Sequence, residues 1–289
     1  MIPFELVEPE TLHEAVSLLD ADDPGVRPFA GGTALMLMMK AGVFQPSRLI
    51  SLGRIEERFS MISVGARGEL RIGAMVPLST LEYSPDVQSA YPVIADTLRT
   101  LANIRVRNVA RVGGALAHGD PHMDLPPVLS VLGAKAIVIG PGGSREIAVE
   151  ELYTGYYTTV LARNELIAEV IVPAPQTRYA AYLKYTTRSA ADWPALGIAV
   201  LLDSDGRMIR DASVVISAAT ERVTRLRHTQ EILNGKAIED TTLHRAGEAA
   251  VAETMLVADA RGSMFYKQQL LRVCIGRAVR MALANGVGK

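Results

Sequence analysis

Two glycine pairs constrain this chain more than any other feature: AGGTALM at residues 30–36 and VGGALAH at 112–118 share a pattern of GG, small residues and Leu. The first ends the strand-like run RPFA, and a strand closing on paired glycines brings backbone close to something. With no Cβ in the way, successive amides can approach an anion and form a nest for it. Two separate loops therefore look built for the same job. Neither carries a named nucleotide signature, because the chain holds no G-x-G-x-x-G and no G-x-x-x-x-G-K-[ST], which disfavours a Rossmann cofactor or a P-loop NTPase.

The segments around these loops read as mixed α/β. FELV is a strand, Thr11 and Glu14 stand in capping-box spacing before the helix TLHEAVSLL, and strands follow at RPFA, RLISL, ELRIGAM and AKAIVIG. Helices are predicted at YPVIADTLRTLA and LPPVLSVLGA, and GPGGSRE at 140–146 has the composition of an exposed turn. The strand ELIAEVIVPAP ends on Pro173 and Pro175, which puts a domain boundary near residue 176. Beyond it, the β-rich runs YAAYLKYT, ALGIAVLLD and ASVVISAA, with a DSDG turn between two of them, precede three amphipathic helices. The second part reads as an antiparallel sheet covered by helices.

At 289 residues and 49% apolar content the chain can bury a sizeable core. Thirty basic against 31 acidic residues leave a formal charge of −1, without the basic footprint of a nucleic-acid binder. The longest apolar runs fall far short of the roughly 18 residues of a membrane span, and no charged-then-apolar leader opens the chain, so the cytoplasm is expected. Cys274 is the one cysteine, which excludes an internal disulfide framework and a cysteine-ligated cluster made by this chain alone.

HGDPHMD, residues 118–124, packs His118, Asp120, His122 and Asp124 into one short stretch. Pro121 and the following PP argue for a loop in which these side chains do not share a face, so a metal site is disfavoured. The simpler reading has Asp120 and Asp124 organising turns, Asp124 capping the helix that starts near Leu125, and the two His on the surface. No G-x-S-x-G elbow is present and the five His form no nucleophile–base pattern, so acyl transfer is not expected.

Five ordered matches carry a resemblance: MIPFELVEPETLHEAVSLL at the start, AGGTALMLMMK at 30–40, RNVARVGGALAHGDPHMDLPPVLSVLGA at 107–134, ELIAEVIVP at 165–173 and YLKYTTRSAADWPALGIAV at 182–200. Over essentially its full length the chain resembles the FAD-binding medium subunit of molybdenum hydroxylases, the group of xanthine dehydrogenase and carbon monoxide dehydrogenase. The resemblance implies an α+β fold. A two-part FAD-binding domain of the vanillyl-alcohol-oxidase (PCMH) type would span 1–176, with subdomains at about 1–56 and 57–176. A smaller domain like the CO dehydrogenase flavoprotein C-terminal domain would span 177–289.

By position, the resemblance assigns Ala30, Gly31, Gly32, Thr33 and Ala34 to one FAD diphosphate loop, and Arg111, Val112, Gly113, Gly114 and Ala115 to the other. It puts Asp124 beside the adenosine portion, Ile167 in an apolar contact, and Lys184 near the flavin ring, where a positive charge would stabilise the anion that develops as electrons arrive. Trp193 in ADWPA would shield the ring or belong to the core, and Asp192 and Arg188 would pair beside it. The chain departs from its relatives where the second loop reads RVGGA instead of Thr or Ser, any residue, Gly, Gly, Asn. No catalytic residue and no metal ligand are assigned.

The implied role is electron transfer within a heterotrimer. [2Fe-2S] clusters of a small partner subunit would deliver electrons to FAD, which passes them to an external acceptor, while molybdopterin belongs to a large partner subunit. A dimer of such heterotrimers is expected. The alternatives are a stand-alone FAD-dependent oxidase, which would need a base and a substrate pocket of its own, and a structural subunit that has lost FAD.

Overall fold

The computed structural model describes residues 3–175 and 179–286. Strand β1 (Glu5–Val7), helix α1 (Leu12–Leu18), β2 (Val26–Phe29), α2 (Thr33–Lys40) and β3 (Arg48–Ser51) form the first unit. Thr11 caps α1, its Oγ1 accepting the Glu14 N–H at 3.1 Å, while the Glu14 carboxylate accepts the Glu10 N–H at 3.0 Å. The Thr11 half of the capping box is formed, while Glu14 bonds one residue before the cap, and Leu12, Ala15 and Val16 of α1 face the core. The strands pair in parallel in the order β1-β3-β2, which requires the helical crossovers found between them.

The next unit runs β4 (Ile62–Val64), β5 (Leu70–Gly73), α3 (Leu78–Tyr83), α4 (Pro85–Ala90), α5 (Pro92–Thr100), α6 (Ile104–Val109), α7 (Val112–Ala117) and α8 (Leu125–Val131). It continues through β6 (Lys135–Gly140), β7 (Gly143–Ala148), β8 (Tyr153–Gly155), β9 (Thr158–Thr159) and β10 (Leu166–Val172). An antiparallel sheet of order β4-β5-β10-β6-β7 backs the helices, with Leu70, Ile72, Val138, Val170 and Val172 buried against α3, α5 and α8. GPGGSRE is a turn as predicted, but a tight one: Gly140 pairs with Gly143 and SRE continues as β7, a strand whose mostly exposed, polar sequence gave no alternating signal.

A four-strand ladder of β11 (Tyr179–Tyr185), β12 (Leu196–Ser204), β13 (Met208–Ser217) and β14 (Thr224–Arg225) begins the C-terminal part. Helix α9 (Arg227–Leu233), strand β15 (Lys236–Ala237), which pairs with β13, and helices α10 (Asp240–Ala252) and α11 (Met264–Gly286) complete it. The DSDG turn joins β12 to β13, and the helices cover the sheet as the patterning predicts. One face of this sheet buries Leu196, Ile198, Val200, Val214 and Ile216 beneath α9 and α11, with α10 packed on those helices; the other face gives Tyr182, Ala199 and Val215 to the core of the preceding unit. The boundary near residue 176 lies outside the described residues.

A buried ion pair positions the second glycine loop. Arg107 of α6 donates through Nε to Glu82 Oε2 at 2.8 Å and through Nη1 to the carbonyls of Leu101 and Ala102, both at 3.0 Å. Both charges are out of water, so truncating one strands the other. Arg107→Met is therefore expected to cost about 3–5 kcal/mol of stability in urea unfolding.

Candidate functional site

The two glycine loops touch. A Cβ on Gly31 would sit 2.2 Å from the Val109 carbonyl oxygen, so only glycine lets the first loop reach the backbone that enters the second. Gly32 takes φ +65° and caps α2, a left-handed position that glycine occupies at least cost. Among the described residues, the N–H groups of Gly31, Gly32, Thr33, Ala34 and Leu35 make no hydrogen bond. Five successive free amides at the start of an eight-residue helix form an anion nest.

The second loop is made differently, despite its similar sequence. Val112 N–H donates to the Val76 carbonyl at 3.1 Å and Gly113 N–H to the Ala74 carbonyl at 2.8 Å, so both amides are already engaged. Gly113 also packs tightly on Ala74, 2.7 Å from where its Cβ would be. Gly114 is exposed, faces open space, and keeps a free N–H. Val112 and Ala115 are core residues of α7, as is Ile167 in β10.

Asp124 and Lys184 do not stand apart. Lys184 Nζ lies 2.8 Å from Asp124 Oδ2 and 2.9 Å from the Thr100 carbonyl, and Tyr182 Oη donates to Asp124 Oδ1 at 2.7 Å. Side-chain exposure is 6% for Lys184 and 5% for Asp124. Burial pushes the Asp124 carboxyl up, and the Lys184 charge and the two hydrogen bonds pull it back. The structure does not keep apart the residues assigned to adenosine and to the flavin ring; it joins them directly. Nor does Asp124 cap α8: a cap bonds the second or third N–H of the helix, and Pro126 and Pro127 have none. A cavity of about 240 Å³ beside Lys184, lined by Val93, Thr97 and Asn285 among others, includes no glycine-loop residue.

HGDPHMD is a junction and not a surface loop. His122 bridges two carboxylates, with Nδ1 2.9 Å from Asp120 Oδ1 and Nε2 2.9 Å from Asp259 Oδ2. Asp259 also accepts from Lys267 Nζ at 2.8 Å, and Lys267, fully buried, donates to the Ala218 carbonyl at 3.0 Å. Ala218 holds φ +67° and returns its N–H to the Pro121 carbonyl at 2.8 Å, tying this loop to the C-terminal sheet. The His118 ring meets Tyr157 edge-on, and burial, opposed by Asp120, lowers its pKa.

Trp193 is neither core nor isolated. It is 46% exposed, stacks on His122 at 5.8 Å between ring centroids, and carries the Arg261 guanidinium at 4.8 Å. Asp192 accepts the Trp193 N–H at 3.0 Å; the structure does not pair it with Arg188. Among the described residues, no group of three or more His, Cys, Asp or Glu side chains converges on a metal position. Asp259, Arg261 and Lys267 carried no local sequence signal, whereas Tyr182 did: two residues before Lys184 on a strand, it shares that residue's face.

Comparison with known proteins agrees with this architecture. Residues 2–175 match the FAD binding domain in molybdopterin dehydrogenase, and 181–282 the CO dehydrogenase flavoprotein C-terminal domain. The carbon monoxide dehydrogenase medium chain of Hydrogenophaga pseudoflava is 32% identical, over 99% of both chains. The nicotine 6-hydroxylase medium subunit of Paenarthrobacter nicotinovorans is 30% identical, over 94% of each. A solved carbon monoxide dehydrogenase from Hydrogenophaga pseudoflava superposes with a TM-score of 0.93 over 98% of this chain and 99% of that one. Quinoline 2-oxidoreductase from Pseudomonas putida 86 gives 0.91 at 28% identity, over 99% and 98%. The chain belongs to the family of FAD-binding medium subunits of molybdenum-containing dehydrogenases and hydroxylases.

The buried charges set measurable stabilities. Lys184→Met, which leaves Asp124 without its cation, is expected to cost about 3–5 kcal/mol. Adding Asp124→Asn should then cost less than the sum of the single changes, as read in a double-mutant unfolding cycle. Asp259 supplies the pH dependence. Burial pushes its carboxyl up, but Lys267, His122 and the Arg261 N–H outweigh that and bring it down to about 2. Its unfolded value is about 4, so its contribution is complete above about pH 4 and lost as pH falls toward 2. Asp259→Asn should be less stable than wild type at pH 7, with the gap closing across that window in urea titrations.

Proposed function

We propose that this chain is the flavoprotein component of a cytoplasmic heterotrimer, in which a small subunit carries [2Fe-2S] clusters and a large subunit carries molybdopterin, two heterotrimers forming a dimer. It would take electrons from the clusters and pass them to an external acceptor. The observation that carries this reading is the nest of five free amides at Gly31–Leu35 lying against the second loop. Such a concave donor set fits the diphosphate of FAD. Bound FAD would supply the ability to accept electrons singly and release a pair.

In this reading Ala30, Gly31, Gly32, Thr33 and Ala34 hold the diphosphate through backbone, with the exposed Gly114 opposite and Arg111, Val112, Gly113 and Ala115 framing it. Asp124 and Lys184 act as one neutral pair, so Lys184 offers its remaining N–H instead of an uncompensated charge. Ile167 packs in the core that also holds Val112 and Ala115 of the second loop. The buried Cys274 cannot ligate a cluster alone, which supports clusters held by another chain. Relatives of similar length are named for carbon monoxide, nicotine and caffeine, which supports substrate choice residing outside this chain. No helix among the described residues is long and apolar enough to cross a membrane.

Absorbance of the purified chain tests the proposal. Wild type should carry oxidised-flavin bands, with the flavin released by acid. A Cβ on Gly114 meets nothing, so Gly114→Val should keep the melting temperature of the apo chain while losing FAD. Gly31→Ala should instead lower stability, because its Cβ meets backbone. An intact wild-type complex from which acid releases no flavin would sink the reading.

A further inference from the structure

Arg111 opens the second glycine loop and is the residue before α7. Its Nε is buried without a hydrogen-bond partner, and among the described residues its guanidinium makes no ion pair, hydrogen bond or ring contact. Burial lowers its pKa and no carboxylate opposes that effect. The most deeply buried cations of this chain are answered: Arg107 by Glu82, Lys184 by Asp124, Lys267 by Asp259. A guanidinium partly withdrawn from water with no anion beside it carries a desolvation cost that an incoming anion would offset.

The surroundings specify where that anion lies. Arg111 follows Ala110, whose backbone abuts Gly31, so it stands where the first loop's free amides meet the second loop. In the second loop, the amides of Val112 and Gly113 are spent on Val76 and Ala74, which leaves Gly114 N–H as its one free backbone donor among these three. The loop is thus short of backbone donors at the place where it has an unanswered cation.

We infer that the Arg111 side chain is a diphosphate-pairing group of this FAD site, replacing by charge the donors that the second loop has committed to its own fold. The inference rests on the FAD reading above and extends it to a side chain. Arg is suited to this role because its planar fork offers two parallel donors to a phosphate.

The test is flavin titration of the apo full-length chain with FAD, with riboflavin, which has no phosphate, and with inorganic pyrophosphate as competitor. Arg111→Gln is expected to weaken FAD binding about 10- to 100-fold, the range for a charge-assisted hydrogen bond. It should leave riboflavin affinity unchanged and abolish competition by pyrophosphate, while Arg111→Lys falls between the two. The apo Arg111→Gln chain should melt no lower than wild type, since an unanswered charge has been removed. Wild-type FAD affinity in Arg111→Gln, equal losses for FAD and riboflavin, or a lower apo melting temperature each overturn the inference while the FAD reading stands. A wild-type chain that binds no FAD overturns both.

Discussion

Asp124 and Lys184 are buried against each other between the helical layer and the C-terminal sheet, and the relation between those two layers depends on their pairing. Neither charge is tolerable there alone. The Thr100 carbonyl at the end of α5 and the Tyr182 hydroxyl on β11 take up further hydrogen-bonding capacity, so one cluster joins α5, α8 and β11. A second cluster, from Asp120 through His122 and Asp259 to Lys267, pins the loop before α8 to Ala218, at the same end of that sheet. Between them, the C-terminal part is held in a single orientation, with Trp193 at the margin of the second cluster.

The glycine loops show how alike sequences can be put to different uses. In AGGTALM the amides following the glycines open a helix and find no partner, which leaves them to a ligand. In VGGALAH the same kind of backbone is tied to the strand and turn beneath it, and glycine is needed at Gly113 for close packing on Ala74 instead. The anion-binding capacity of the two loops is therefore unequal, and the partnerless Arg111 sits on the poorer side.

Much of this was legible beforehand. The cap at Thr11, the turn at 140–146, the antiparallel C-terminal sheet and its covering helices follow from local rules acting on nearby residues. The failures lie where a side chain's partner is distant. Asp124 read as a helix cap, although the prolines at 126 and 127 already removed the amides a cap would bind; its partners are 58 and 60 residues away. His122 read as a surface residue because Asp259, 137 residues on, was invisible from HGDPHMD.

The principal strands, the helices at 12–18, 92–100 and 125–131, the helix-covered C-terminal sheet and the glycine pairs were legible in the sequence itself, since periodicity, caps and small-residue motifs are local properties of the chain; the short helices that the glycine pairs open were not. Which amides remain free, which charges answer one another and which arginine goes unanswered were decided only by the tertiary structure. The physical reason is that satisfaction of a buried polar group depends on what folding brings within about 3 Å of it, and no spacing along the chain records that distance.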